Sequence, residues 1–364
     1  MEKRCKLKKG WKILISFACF FFLLFLGVII YYHVNLGSVS NSKSQKEVEI
    51  EKGSGSNTIA KVLKSNNLIR NEYVFLIYLK LNHISDLKYG TYLFREDMDV
   101  KAIISELKKG STYNPDAITI TFQEGLNMRE IAKIIEANTV NSYQDVLEKA
   151  SDIEYISRLK EKYWFITDEI DANGIYYKLE GYLFPDTYEF RNKEVSVEYI
   201  FDKMISELAK KLESYNDFDY TTLSIHERLT LASMVEKESP VKSDRKKMAA
   251  VFLNRKRIGM NLGSDVTARY ANKIDDKSKA LTSLQFDLKN PYNTRCQDGS
   301  MNGRLPIGPI ANVSVSSIEA AFAPDEHEYL YFISNIKTLE TFFYEKYSDF
   351  LKKKDELREV NQGF

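Results

Sequence analysis

The sequence predicts an α+β protein held to a membrane, in which a small α+β module leads into a larger α+β domain. Three observations carry that expectation. Residues 11–32 form one uninterrupted apolar run near the N-terminus. A strand–turn–helix pattern occurs twice, about seventy residues apart. Further on, a helix apolar on both sides ends in two glutamates, Glu236 and Glu238, just before Pro240.

The apolar run extends from Trp11 to Tyr32, and at about 1.5 Å per residue it would reach roughly 33 Å, enough to cross a bilayer. Trp11, Tyr31 and Tyr32 sit where interfacial aromatics belong. The basic residues Lys3, Arg4, Lys6, Lys8, Lys9 and Lys12 should hold the N-terminus in the cytoplasm. These features predict a basic cytoplasmic tail over 1–10, a transmembrane anchor over 11–33 and an extracytoplasmic bulk, in a single-pass protein of the cell membrane. A cleavable signal peptide is the alternative, although its apolar core normally runs only about 7–15 residues. Cys19 has no small-residue lead-in of the lipoprotein kind.

Composition excludes several functions. The net charge of +1 hides a local charge of +5 over residues 1–12, so the remainder is mildly acidic and no basic stripe suits nucleic acid. Beyond the anchor only Cys296 remains, which leaves no disulfide framework. His33, His83, His226 and His327 lack metal-ligand spacing. With no phosphate loop or Gly-x-Ser-x-Gly elbow either, neither a metal nor a cofactor is expected.

Residues 34–46, rich in serine, read as a flexible linker. The small module is placed at 47–112. Val48–Ile50 reads as its first strand, Gly53–Ser56 as a turn with Ser56 or Asn57 as cap, and Ile59–Leu63 opens a helix. Tyr89–Phe94 alternates as a strand, and Val100–Leu107 reads as a helix stopped by Gly110. The larger region is placed at 113–355. There Ile118–Ile120, Gly125 and Ile131–Ile135 repeat the strand–turn–helix pattern, by shared ancestry or by chance. The aromatics of Glu180–Phe190 could stack on sugar faces or simply pack a core. From Lys346 the chain turns charged and is expected to pack little, with a charged tail at 356–364.

Ser224 and Glu227 form a capping box that starts a helix near Ile225, and Pro240 ends it by Ser239. Helical geometry puts Ile225, Leu229, Ala232 and Glu236 on one side. Leu231, Met234 and Glu238 fall on the other, because residues two apart differ by roughly 200°. The glutamates therefore do not form a side-by-side pair. Glu238 meets the negative end of the helix dipole, which together with burial should raise its pKa and suit it to general acid work. An ion-paired helix end, with Glu236 or Glu238 on a nearby Lys or Arg, is the competing expectation.

These residues resemble the endolytic murein transglycosylases of the YceG-like family. The most specific segment is Leu231–Glu238, followed by Val251–Arg255, Arg257–Met260, Ser264–Asp265, Pro291–Thr294 and Gly303–Asn312, with Glu180–Thr187 upstream. The resemblance implies that 47–112 is a LysM-like module and 113–355 the catalytic region. It also implies that Glu238 is the single acid/base of a lyase cutting the MurNAc–GlcNAc β-1,4 bond to leave 1,6-anhydro-MurNAc ends. Asp265, Tyr292, Asn293 and Thr294 become candidates for substrate contact; Asp265 and Asn293 could equally be turn and loop formers. Glu236, Asn254 and Arg255 become supporting residues. The chain departs from the family pattern at Val266, where proline is usual, at Val313-Ser314, where Pro-Gly is usual, and at Glu340–Phe342, where a histidine is common. Expected partners are peptidoglycan glycan strands, the lipid bilayer through the N-terminal helix, and peptidoglycan synthases such as penicillin-binding proteins. Nucleic acid is not expected. A non-catalytic wall-binding scaffold and a water-using muramidase are the competing functions.

Overall fold

Packing divides the chain into two compact units, Met1–Asp116 and Ala117–Phe364. The structure, a computed structural model, describes residues 9–111, 114–276 and 278–361. The basic tail expected over 1–10 lies outside the described residues apart from its last two positions, and residues 362–364 lie outside them as well.

In the first unit the apolar run forms one continuous helix, α1 (Lys9–Leu36), and its stretch Ser16–Leu36 is long and apolar enough to cross a membrane. Strand β1 (Gln45–Ile50), helices α2 (Ser56–Ser65) and α3 (Glu72–Leu81), strand β2 (Gly90–Arg95) and helix α4 (Val100–Lys109) follow. The strands pair antiparallel, from Gln45 opposite Arg95 to Ile50 opposite Gly90. Val48 and Ile50 on β1 and Tyr92 and Phe94 on β2 point inward, as the period of two requires, onto Leu63, Phe75 and Ile103. Helix α2 begins at Ser56 with Gly55 in the cap position and no side-chain cap bond. The cap expected from Ser56 or Asn57 is absent because both already lie inside the helix. In the segment read as a flexible linker, Leu36 is buried in the module core. The Ser38 carbonyl accepts from Arg70 Nε at 2.9 Å and Nη2 at 2.6 Å.

The second unit opens with β3 (Ile118–Thr121), α5 (Met128–Asn138), α6 (Tyr143–Lys149) and α7 (Ile153–Lys162). Strand β4 (Thr187–Phe190) returns to pair antiparallel with β3, Ile118 opposite Phe190. Next come α8 (Val197–Leu212), α9 (Ile225–Glu238), α10 (Arg245–Arg257), α11 (Asp265–Ala271), α12 (Ser283–Phe286) and α13 (Val315–Phe322). The hairpin β5 (Tyr331–Ser334) and β6 (Thr341–Tyr344) is followed by α14 (Tyr347–Glu356) and α15 (Arg358–Asn361). Ten successive α9 residues other than Glu227, from Ile225 to Val235, are buried, so α9 is the interior helix its two-sided apolar pattern implies. The end of the chain packs more than its charge suggests. Tyr347 and Phe350 pack at a tilt on Tyr331, Leu357 is buried, and Asn361 Nδ2 donates to the Ser334 carbonyl at 3.0 Å.

Candidate active site

Helix α9 starts on the Ser224–Glu227 capping box and stops at Glu238, because Ser239 takes extended backbone ahead of Pro240. Its last turn sends two carboxyl groups into different surroundings. Glu236 is held by Arg245 in a two-pronged ion pair, Nη2 to Oε1 at 2.8 Å and Nη1 to Oε2 at 3.1 Å. Both side chains are about 95% buried, being 4% and 5% exposed. The Ser314 N–H and Oγ–H donate to Glu236 Oε2 at 2.9 and 2.6 Å. Arg245 also donates to Ser316 Oγ at 2.7 Å and to the Ser239 carbonyl at 3.4 Å. The end of α9 is thereby fastened to the first residue of α10 and the cap of α13.

Glu238 has no such cation bonded to it. Its Oε1 accepts from Ser264 Oγ–H at 2.6 Å, and the backbone N–H of Val266 donates to the same carboxyl. Burial pushes its pKa above the ordinary carboxylate range, and the negative charge of Asp265 adds to the rise. The Ser264 hydroxyl, the positive charge of Arg255 and the Val266 N–H oppose it. Even so, the residue keeps part of its surface in solvent.

The loop that delivers Ser264 is rigid. Gly263, at φ +63°, makes the left-handed turn that a side chain would strain. Its N–H donates to the Thr294 carbonyl at 2.9 Å. The Ser264 N–H donates to Thr294 Oγ1 at 3.2 Å, and the Ser264 carbonyl accepts from Thr267 Oγ1 at 2.7 Å. Thr267 and Thr294 share a hydroxyl hydrogen bond of 2.8 Å. Ser264, Thr267 and Thr294 are almost wholly buried, so this hydroxyl lattice is shielded from competing water.

The remaining residues singled out in the sequence take several positions. Asp265 begins α11, exposed, with Arg295 Nε 3.0 Å from Oδ1. Thr294 reaches Glu238 only through Ser264. Tyr292 is fully buried between Tyr176 and Tyr270, with ring centroids 4.9 and 4.8 Å away. Asn293, also fully buried, donates to the carbonyls of Phe286 and Leu288, both at 2.8 Å. Arg255 spans from the Leu330 carbonyl at 2.6 Å to the Leu262 carbonyl at 2.5 Å, two residues before Ser264. Asn254 Nδ2 donates to the His327 carbonyl at 2.6 Å. At the departures from the family pattern, Val266 presents an N–H that proline lacks, and Ser314 supplies a hydroxyl that glycine lacks. Glu340 stands just ahead of β6.

The ion-paired helix end held as the competing expectation is the state of Glu236 with Arg245, whereas sequence reasoning assigned Ser264, Thr267 and Ser314 no role in the site. Ser264 stood beside Asp265 in a quoted motif, and that adjacency was its only signal. A cavity of about 260 Å³ opens at this end of α9, lined by Lys237, Val266, Tyr270, Arg129, Asp275 and Ile310 among others. Behind Tyr270 lies Glu180, whose pKa burial pushes up to about 7. It accepts from the Tyr270 hydroxyl at 2.8 Å and the Met128 N–H at 3.0 Å. Glu180 is 1% exposed, whereas Glu238 is only partly buried.

Fold and site thus define a mixed α+β protein whose central helix ends in a buried ion pair and a partly exposed carboxyl of raised pKa. The model of the YceG-like family matches residues 48–356. An endolytic murein transglycosylase of Bacillus subtilis (strain 168) is 36% identical over 296 residues, covering 81% of this chain and 80% of that protein. Its namesake in Streptococcus pneumoniae serotype 2 (strain D39) is 31% identical over 343 residues, 88% of this chain but 61% of that longer protein. A solved structure of a yceG-like protein from Listeria monocytogenes is 33% identical, with a TM-score of 0.60 over 86% of this chain and 100% of that one. The chain belongs to the YceG-like family.

Proposed function

We propose that this protein is a membrane-anchored endolytic peptidoglycan lytic transglycosylase in which Glu238 is the only acid/base. The observation that carries this reading is the environment of Glu238: raised pKa, partial exposure, and a fixed hydroxyl and N–H ready for the carboxylate form. The names of the relatives point the same way. Glu238 protonates the bridging oxygen between MurNAc and GlcNAc as the C1–O bond breaks. The carboxylate it becomes is stabilised by Ser264 Oγ–H and Val266 N–H. It then takes the proton from the muramic C6 hydroxyl, whose oxygen bonds to C1 and closes the 1,6-anhydro ring. No water is consumed and the proton inventory of Glu238 is restored. Glu236, engaged by Arg245, is not available as the second carboxylate that a retaining glycosidase needs.

Tyr292, Asn293 and Thr294 support the site by building its wall, and Asp265 is the one of the four candidates whose exposure suits substrate contact. Retention of α1 as an anchor is favoured by Tyr32 and Leu36, which pack into the core of the first unit. Cleaving a signal after them would strip that core. The test is product analysis of purified sacculi digested by the parent and by Glu238→Gln. Anhydro-MurNAc ends from the parent and none from the variant are expected. Reducing MurNAc ends from the parent would replace the lyase with a hydrolase. Unchanged ends from the variant would leave a wall-binding scaffold.

A further inference from the structure

Helix α3 is apolar all round, a composition that ordinarily marks a helix buried on every side. Only three of its ten residues are buried. Val74, Phe75 and Leu79 enter the core of the first unit, while Tyr73, Ile77 and Leu81 stand outside at 68%, 47% and 65% exposure. Their i, i+4, i+8 spacing puts them in one stripe along the outer face, with exposed Lys80 at its edge. Nothing in the folding of the first unit requires that stripe.

The neighbourhood of α3 says what can cover it. Its cap residue Asn71 donates through Nδ2 to the Tyr31 hydroxyl of α1 at 3.0 Å. Arg70, just before it, grips the Ser38 carbonyl beyond the end of α1. Tyr32 and Leu36 belong both to the membrane-length apolar stretch and to the module core. The module therefore begins before the apolar helix ends, with no stalk between them, and α3 starts beside Tyr31, near the C-terminal end of that apolar stretch. A ten-residue helix is about 15 Å long, and interfacial helices seat their apolar face about 5–10 Å into the headgroup boundary. Lys80 can lay its stem along the stripe and keep its ammonium among lipid phosphates.

We propose that the Tyr73–Ile77–Leu81 face of α3 is a second membrane contact, seated in the interface of the bilayer that α1 crosses. This rests on reading α1 as a retained anchor. It makes the first unit a membrane-seated platform and not a free tether.

The test uses the full chain with Cys5, Cys19 and Cys296 replaced by alanine, reconstituted in vesicles of phosphatidylcholine and phosphatidylglycerol. A polarity-sensitive fluorophore is attached at Ile77→Cys, at Leu81→Cys as a second site, and at Phe25→Cys within α1 as the anchor control. Blue-shifted emission, quenching by spin-labelled lipid and protection from aqueous iodide at both α3 sites are the expected result. Water-like signals at both α3 sites with a lipid-buried Phe25 label overturn the proposal and leave the anchor standing, including the case where a protein partner covers the stripe. A water-like Phe25 label removes the anchor reading, and the proposal goes with it.

Discussion

Glu236 and Glu238 leave the same last turn of α9, two residues apart, and meet opposite fates. On the Glu236 side the protein supplies a guanidinium, a hydroxyl and an N–H, and removes nearly all water. On the Glu238 side it supplies a hydroxyl and an N–H, holds Arg255 near enough to be felt, and leaves an opening. The first arrangement fixes a charge and spends it on joining three helices. The second leaves a proton weakly decided, which is what a group that must give and retake one requires. Residue type and helix position are the same; partners and water access make the difference.

The strongest challenge to this contrast is Glu238→Gln. Loss of a general acid should lower murein cleavage by about 10²–10⁴-fold, read as anhydro-MurNAc ends released per unit time. Stability should move the other way. A folded pKa raised by burial contributes stability that is present below the unfolded pKa and lost as pH rises through the folded pKa. Glutamine carries no such loss, so the variant should match the parent in thermal unfolding at pH 4 and exceed it at pH 8. An inactive variant that is also less stable at pH 8 would put Glu238 in the same structural class as Glu236.

Glu236→Gln should do the reverse. Removing one partner of a buried ion pair leaves Arg245 uncompensated and costs about 3–5 kcal/mol, measurable by urea denaturation. Cleavage should survive at low temperature, reduced because the end of α9 is less firmly held. Arg245→Met in the same chain should recover part of the stability, since the uncompensated charge is gone. Full stability in the single variant would mean that the ion pair is dispensable and that the asymmetry of the helix end has another source.

Ser264→Ala sharpens the other side. A hydrogen bond to a charged group is worth about 1.5–3 kcal/mol, so cleavage should fall by roughly 10–100-fold. The hydroxyl lowers the pKa of Glu238, so its loss raises that pKa further. Activity that needs the protonated acid should then persist to higher pH, and the alkaline limb of the rate profile should move up. A lower rate with an unmoved limb would reduce Ser264 to a packing role.

Much of this contrast was legible beforehand. The capping box, the apolar faces and Pro240 set the span of α9, and the 200° offset separated the glutamates, because these are local rules. Of the partners, only a nearby Lys or Arg pairing with one of the two glutamates was foreseen. Arg245 lies nine residues from Glu236, but Ser314 lies 78 away, and Ser264 lies 26 from Glu238. Such contacts depend on how helices cross, which periodicity does not encode. Tyr292 and Asn293 show the complementary difficulty: a motif marks residues that matter without saying whether they face a ligand or the core. The serine-rich segment after α1 looked like a tether because its composition is polar. Arg70, which holds it, is an ordinary surface arginine in the sequence.

The finest probe is Val266→Pro, which installs the residue usual at this position in the family. Proline has no N–H, so Glu238 would keep Ser264 and lose its backbone donor. The fold should tolerate the change. Val266 is the second residue of α11, where N–H groups have no partner within the helix. Proline would press Asp265 toward extended backbone, and α11 could then start one residue later with Asp265 as its cap and proline at the favoured first position. With one stabiliser of its charged form removed, Glu238 should hold its proton to higher pH. The alkaline limb should move in the same direction as in Ser264→Ala but by less, since an uncharged backbone donor is replaced without loss of the shorter hydroxyl bond. Should the limb stay where it is, Ser264 alone sets the acid, and the valine is a substitution without electrostatic consequence.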